Sequence, residues 1–128
     1  MLFWRRKQTS AVTGALKRGW TFTLTTDAER VRLRGDDGSD ATIAWAGVRR
    51  IAVVTTDEGP QSSDVFVRLE APDATLVVPT DARNNEAFVD QLLEIEGFDV
   101  ASFTKAMTSA ELAEFPCWAG AQVVFRGR

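Results

Sequence analysis

Hydrophobic and polar residues alternate with a period of two from about residue 20 to about residue 79. The clearest run, WTFTLTT over residues 20–26, places Trp20, Phe22 and Leu24 on one face and threonines on the other, as in a half-buried strand. Similar runs occupy residues 29–34, 41–45, 48–55, 65–69 and 75–78, with turn-forming residues between them. Because short turns join neighbouring antiparallel strands, the pattern predicts an antiparallel meander over about residues 20–79.

After Pro79 the apolar residues recur every three to four positions, which predicts helices over about residues 84–114. Asn84 or Asn85 is suited to cap the first helix. Phe88, Leu92 and Ile95 are its predicted buried side chains, and Gly97 is predicted to end it.

Two shorter helices are predicted next. Asp99 caps the first of them, which buries Phe103 and Met107. Thr108 and Glu111 have the spacing of a capping box, so a third helix is predicted to follow and to end at Pro116. The apolar segment 115–125 then either adds a strand or lies across one end of the strands. The pattern as a whole predicts an α+β fold.

Length and composition favour one globular domain. The chain has 128 residues, of which 45% are hydrophobic and 26% charged. We expect residues 1–17 to form an N-terminal tail or short docking segment and residues 18–128 to form the domain. The N-terminal apolar residues precede the basic ones, the reverse of a signal peptide, and no apolar run is long enough to span a membrane. A cytoplasmic location is therefore predicted.

The residue inventory argues against catalysis. The chain has no histidine and no tyrosine, and it contains no glycine-rich phosphate loop and no paired cysteines. Its single cysteine, Cys117, has no histidine to act as a base, so we expect inert packing. We predict a protein that is not an enzyme and that uses no cofactor and no metal.

Charge is distributed unevenly along the chain. Residues 1–50 contain ten basic and five acidic side chains, whereas residues 51–125 contain three basic and thirteen acidic ones, and the formal net charge is −3. A dipolar surface of this kind favours oriented encounters with charged partners. This asymmetry favours a binding module and leaves open which half binds.

Protein–protein recognition through the acidic half is the first hypothesis. Small acidic proteins that shield a basic partner, such as antitoxins or immunity proteins, have this charge pattern. Nucleic acid is disfavoured because the net charge is negative. The candidate partner-binding residues, in the loop over residues 57–64 and on the first helix, are Asp57, Glu58, Asp64, Asp90, Glu94 and Glu96.

Binding to a membrane or another anionic surface is the alternative. The N-terminus combines an aromatic residue with cations, as interfacial anchors do. A row of arginines also lies on the outward face of the second predicted strand, where the competing interpretation is an ordinary solvated surface. The candidate residues are Trp4, Arg5, Arg6, Lys7, Arg30, Arg32 and Arg34. A homodimer formed through the apolar C-terminal segment also stays open.

The order of these elements resembles a known barrel family. Two alternating hairpins, a W-x-x-[VI] step from Trp45 to Val48, a further hairpin and an amphipathic helix resemble the bacterial PH and GRAM group. The resemblance implies a PH-like antiparallel barrel of six to seven strands in two orthogonal sheets, capped by C-terminal helices. The turn at Asp27 and Ala28 is too short to form the pocket of lipid-binding PH domains.

A narrower resemblance is to small single-domain bacterial proteins of uncharacterised function, and it names no activity. The residues that carry this resemblance are Trp45, Asp57, Gly59, Pro60, Asp64, Val65, Phe66, Val78, Pro79, Gly97, Phe98, Asp99, Ala106, Met107 and Phe115.

Overall fold

The computed structural model describes residues 22–36, 38–55, 65–109 and 112–126. In these ranges seven strands form two antiparallel sheets, and two helices accompany them. The α+β class predicted from the sequence is therefore confirmed. The three-stranded sheet has the order β1-β2-β3 and contains β1 (Phe22–Thr26), β2 (Arg30–Gly35) and β3 (Asp40–Ala44). The four-stranded sheet has the order β6-β5-β4-β7 and contains β4 (Arg50–Thr55), β5 (Val65–Ala71), β6 (Ala74–Pro79) and β7 (Ala113–Ala119).

Alternation along the strands produces the core. Val31 and Leu33 of β2 are buried, and so are Phe22 and Leu24 of β1, while the residues between them remain accessible. The inward residues of both sheets belong to one hydrophobic cluster. Burial of this apolar surface is the main term that stabilises the fold.

A turn of 3-10 helix, Trp45–Gly47, carries the chain from the first sheet to the second. Trp45 is buried there and stacks on Phe88, with ring centroids 6.1 Å apart. The ring of Phe125 is perpendicular to the indole, with ring centroids 5.3 Å apart. Trp45 therefore joins the strands, the first helix and the C-terminal segment.

The first helix, α1 (Asn85–Glu94), follows the meander as predicted. Its Phe88 and Leu92, together with Ile95 at its end, are 2% exposed or less, so the predicted buried face is confirmed. Asn84 occupies the N-cap position with a positive φ of 67°, but its side chain makes no capping hydrogen bond. The side-chain amide of Asn85 instead donates to the carbonyl of Thr80. After the helix ends, Gly97 adopts a φ of 82°.

The second helix, α2 (Val100–Met107), begins at the predicted cap. The Asp99 carboxylate accepts a hydrogen bond from the Ser102 N–H at 2.9 Å. Phe103 is buried as predicted, but Met107 is 37% exposed, so its predicted burial is wrong. The buried stripe contains Phe103 and Ala106, and Met107 lies about 100° beyond Ala106 around the helix.

The third predicted helix is wrong. Residues 113–119 form β7 and pair antiparallel with β4, so the strand alternative is confirmed for the first part of segment 115–125. Of the rest of the segment, Phe125 forms an isolated bridge with Ile95. Leu112, within the predicted third helix, precedes β7 and is 71% exposed. Pro116 lies within the strand and does not end a helix; β7 is an edge strand, where the missing N–H of proline is tolerated. The capping-box pattern is local, whereas the pairing with β4 is tertiary, and the pairing prevails.

Candidate anion-binding face

The outer side of the three-stranded sheet carries the predicted arginine row. Arg30, Arg32 and Arg34 on the central strand β2 are all exposed, because Val31 and Leu33 between them point into the core. Directly paired residues of neighbouring strands share one side of a sheet. The pairing therefore adds hydroxyl groups beside the arginines: Thr23 and Thr25 on β1, and Thr42 on β3.

A fourth arginine joins this side through tertiary structure. Arg83, between β6 and α1, forms an isolated parallel bridge with Thr23. Its N–H donates to the Phe22 carbonyl and its carbonyl accepts from the Leu24 N–H, both at 2.9 Å. Since bridged residues point to the same side, Arg83 lies beside Thr23 on the outer side of the sheet. We call these seven residues the arginine face: Thr23, Thr25, Arg30, Arg32, Arg34, Thr42 and Arg83.

The turn between β1 and β2 determines that the arginines of β2 face outward. The Asp27 carboxylate accepts hydrogen bonds from the N–H groups of Glu29 at 2.8 Å and Arg30 at 2.9 Å. These two bonds hold the pKa of Asp27 below its ordinary value. They also determine where β2 starts, and therefore which of its side chains face outward.

The arginines differ in how their charge is matched. Asp40 binds Arg32 through two hydrogen bonds, Nε to Oδ1 at 2.9 Å and Nη2 to Oδ2 at 2.6 Å. The hydrogen bond to Arg32 lowers the pKa of Asp40. Arg30 lies 3.7 Å from a carboxylate oxygen of Glu29, with both side chains well exposed. Arg34 and Arg83 have no carboxylate within 4.0 Å among the residues that the structure describes.

On the outer side of the four-stranded sheet, by contrast, positive and negative side chains are paired with each other. Arg68 contacts Glu114 at 2.9 Å and Glu70 at 2.6 Å, and Arg50 lies 3.8 Å from Glu70 and 4.0 Å from Glu114. The four side chains form a closed ring of alternating charge. Ala52, which pairs in register with Arg68, is 2% exposed, so β4 is covered on both sides at this position. Because its charges cancel, this ring is a poor candidate for binding an ion.

The predicted acidic residues are only partly described. Asp90 and Glu94 lie one helical turn apart on α1, and Glu96 follows the helix. Asp90 and Glu96 are exposed and Glu94 is half-buried. The loop candidates and the N-terminal candidates lie outside the described residues; they are Asp57, Glu58, Asp64, Trp4, Arg5, Arg6 and Lys7.

The single cysteine of the chain is buried. Cys117 is 2% exposed, and burial raises the pKa of its thiol to about 11, so the thiol stays protonated near neutral pH. Within the described ranges, no three His, Cys, Asp or Glu side chains lie close enough together to hold a metal ion. Neither described helix has the length and apolarity required to cross a membrane.

Comparison with known proteins assigns no family to the chain. No family model, curated protein or solved structure matches it. Its function is therefore inferred from the charged surfaces described above.

Proposed function

We propose that this protein is a non-enzymatic binding domain that binds an anionic membrane surface through its arginine face. One observation carries the proposal: four exposed arginines lie on the same side of one sheet, and two of them, Arg34 and Arg83, form no salt bridge within 4.0 Å to a described carboxylate. Sequence reasoning identified three of these arginines. The fourth, Arg83, lies on this side of the sheet because its backbone forms a bridge with Thr23.

The geometry of a strand suits a broad anionic surface. Alternate residues on β2 are about 6.6 Å apart, so its three guanidinium groups can approach one plane together. Each basic residue near an anionic membrane contributes about 1 kcal/mol, and Asp40 and Glu29 offset part of this attraction. Reversible, salt-sensitive binding is the expected result. Stable anchoring generally needs a second signal, which Trp4, Arg5, Arg6 and Lys7 would supply.

A PH-like barrel is part of the same proposal. Two antiparallel sheets around one core, with the buried face of α1 following the sixth strand, support it. The cytoplasmic side of a membrane is the location we propose for such a domain.

Vesicle co-sedimentation tests the arginine face. We expect binding to phosphatidylcholine vesicles that contain phosphatidylserine, little binding to phosphatidylcholine alone, and loss of binding as salt rises. The double variant Arg30→Gln/Arg34→Gln should bind about thirtyfold more weakly, because two cations near the surface are removed. The control Arg50→Gln/Lys105→Gln removes the same charge from other surfaces. Equal losses in the two variants would refute the proposed face.

A gain of binding is a second test. Asp40→Asn releases Arg32 from its carboxylate partner and should strengthen vesicle binding about fivefold. Asp36→Asn makes the same change of charge in the same hairpin, at an exposed carboxylate with no described guanidinium within 4.0 Å. The proposal requires Asp40→Asn to increase vesicle binding more than Asp36→Asn does. If neither variant bound vesicles more tightly, this result would count against the proposal.

Recognition of a basic protein, including an antitoxin-like or immunity-like role, stays a second hypothesis. Helix α1 contains three carboxylates and no basic residue, and like charges one turn apart destabilise a helix by some tenths of a kcal/mol. A cationic partner would offset that cost. Reversal of Asp90, Glu94 and Glu96 to lysine should then abolish capture of the partner, while Arg30→Gln/Arg34→Gln should leave capture unchanged. The opposite pattern would refute the acidic surface.

A further inference from the structure

Within the arginine face, we infer that Arg34, Thr23 and Arg83 form a subsite for a terminal phosphate group. This inference rests on the proposed function and identifies the chemical group that one end of the face would recognise. A phosphate monoester at the end of a lipid headgroup or of a soluble molecule has this chemistry.

Backbone pairing places the three residues in one row. Thr23 on β1 pairs directly with Arg34 on β2 and, at the other edge of β1, with Arg83. Neighbouring strands are about 4.8 Å apart, so the two arginine stems start about 10 Å from each other with the threonine hydroxyl between them. Arginine side chains are long enough to converge above that hydroxyl. Thr23 is half-buried, whereas both arginines are exposed.

The position of Arg83 is fixed by its backbone. Its N–H and carbonyl both bond to β1, at 2.9 Å each, and the preceding Ala82 is buried in the core. Side chains held on ordered backbone lose less entropy when they bind a ligand than those on mobile loops. Arg34 has similar support because β2 is the central strand of its sheet.

Charge balance distinguishes this row from the rest of the face. Asp40 pairs in register with Arg34, yet its carboxylate binds Arg32 through both oxygens. The ion pair with Glu29 partly neutralises the charge of Arg30. After the hydrogen bond from Arg32, the charge of Arg34 also lowers the pKa of Asp40, but Arg34 and Arg83 form no salt bridge within 4.0 Å to a described carboxylate. The two arginines without a described salt bridge therefore lie at one end of the face, on either side of Thr23.

A phosphate monoester complements this arrangement. It carries between about −1.5 and −2 charges at neutral pH and has three oxygens free to accept hydrogen bonds. Two guanidinium groups can each engage two oxygens, and the threonine hydroxyl can donate one further bond. A phosphodiester has a single charge and fewer free oxygens, so we expect it to bind more weakly at this row.

The test compares two anionic lipids at equal surface potential, phosphatidic acid with its monoester and phosphatidylglycerol with its diester. We expect the wild-type protein to bind phosphatidic acid vesicles about tenfold more tightly. Arg34→Gln and Arg83→Gln should remove this preference, and each should weaken binding to phosphatidylglycerol only by the roughly fivefold that loss of one surface charge explains. Thr23→Val should reduce the preference, and Arg32→Gln should weaken binding to both lipids equally. Circular dichroism verifies that each variant is folded.

The possible outcomes separate the subsite from the proposed function. Equal wild-type binding to the two lipids would overturn the subsite and leave the membrane-binding face intact. Failure to bind either vesicle would overturn membrane binding. In that case, the protein would be tested with glycerol 3-phosphate in solution. Binding that is lost in Arg83→Gln would support the subsite with a soluble ligand. If the protein did not bind glycerol 3-phosphate in this way, the subsite would be overturned as well.

Discussion

Replacement of Gln91 tests how α1 holds the hairpin that bears the arginine face. Gln91 lies on the buried side of the helix and is 7% exposed. Its Nε2 donates to the carbonyl of Asp27 at 2.6 Å, and its Oε1 accepts from the hydroxyl of Thr26. The indole N–H of Trp45 donates to the same Asp27 carbonyl at 3.2 Å. The turn between β1 and β2 is thereby bonded to two other elements.

We expect Gln91→Leu to lower the free energy of unfolding by about 1 to 2 kcal/mol. Two hydrogen bonds are lost, each with a net contribution of about 1 kcal/mol. The Asp27 carbonyl keeps the Trp45 N–H, and the Thr26 hydroxyl keeps the Arg30 carbonyl at 3.4 Å, so neither group is left without a partner. The melting temperature should fall by about 5 °C for a chain of this size.

Gln91→Glu should be more destabilising at neutral pH, because its carboxylate would face the Asp27 carbonyl and would be buried without a cation. Burial raises the pKa of such a carboxyl group, so protonation restores a donor and the defect should shrink as pH falls.

Urea unfolding followed by tryptophan fluorescence measures these changes. Asp90→Asn, at an exposed position next to Gln91, is the matched control and should unfold like the wild type. If Gln91→Leu were as stable as Asp90→Asn, the hydrogen bonds of Gln91 would not contribute to holding the hairpin. If the defect of Gln91→Glu did not change with pH, burial of its carboxylate would be the wrong explanation.

Three further predictions concern the C-terminal part of the chain. Gly97→Ala should cost about 1 to 2 kcal/mol in urea unfolding, since residue 97 has a φ of 82°; an unchanged midpoint would contradict this strain. Asp99→Ala should cost about 1 kcal/mol through loss of the cap of α2, and Asp99→Asn should retain most of that stability. Cys117 should resist iodoacetamide at mildly alkaline pH until urea unfolds the protein, because its thiol is buried with a pKa of about 11; rapid labelling of the folded protein would refute this.

The ion-pair ring on the four-stranded sheet shows where sequence reasoning reaches its limit. Arg68 and Glu70 are two residues apart and share a strand face, so their contact follows from alternation alone. Glu114 is distant in sequence, and it reaches Arg68 only because β7 pairs with β4. No local pattern indicates that contact.

Local periodicity was sufficient to predict β1 to β6, the buried face of α1 and the cap of α2. Each depends on neighbours a few positions away, and burial of one face of an element imposes its period directly on the sequence. The outward direction of Arg30, Arg32 and Arg34 followed from the same alternation.

Only the tertiary structure decided that residues 113–119 form a strand and that Arg83 joins the arginine face. The capping-box pattern before Pro116 favours a helix locally, but the open edge of β4 offers hydrogen bonds along a whole strand. Arg83 lies in a short connection without periodicity, so nothing near it in sequence indicates that its backbone bonds to β1. Local pattern determines which residues of an element face outward, whereas contacts between distant segments determine which of those residues come together.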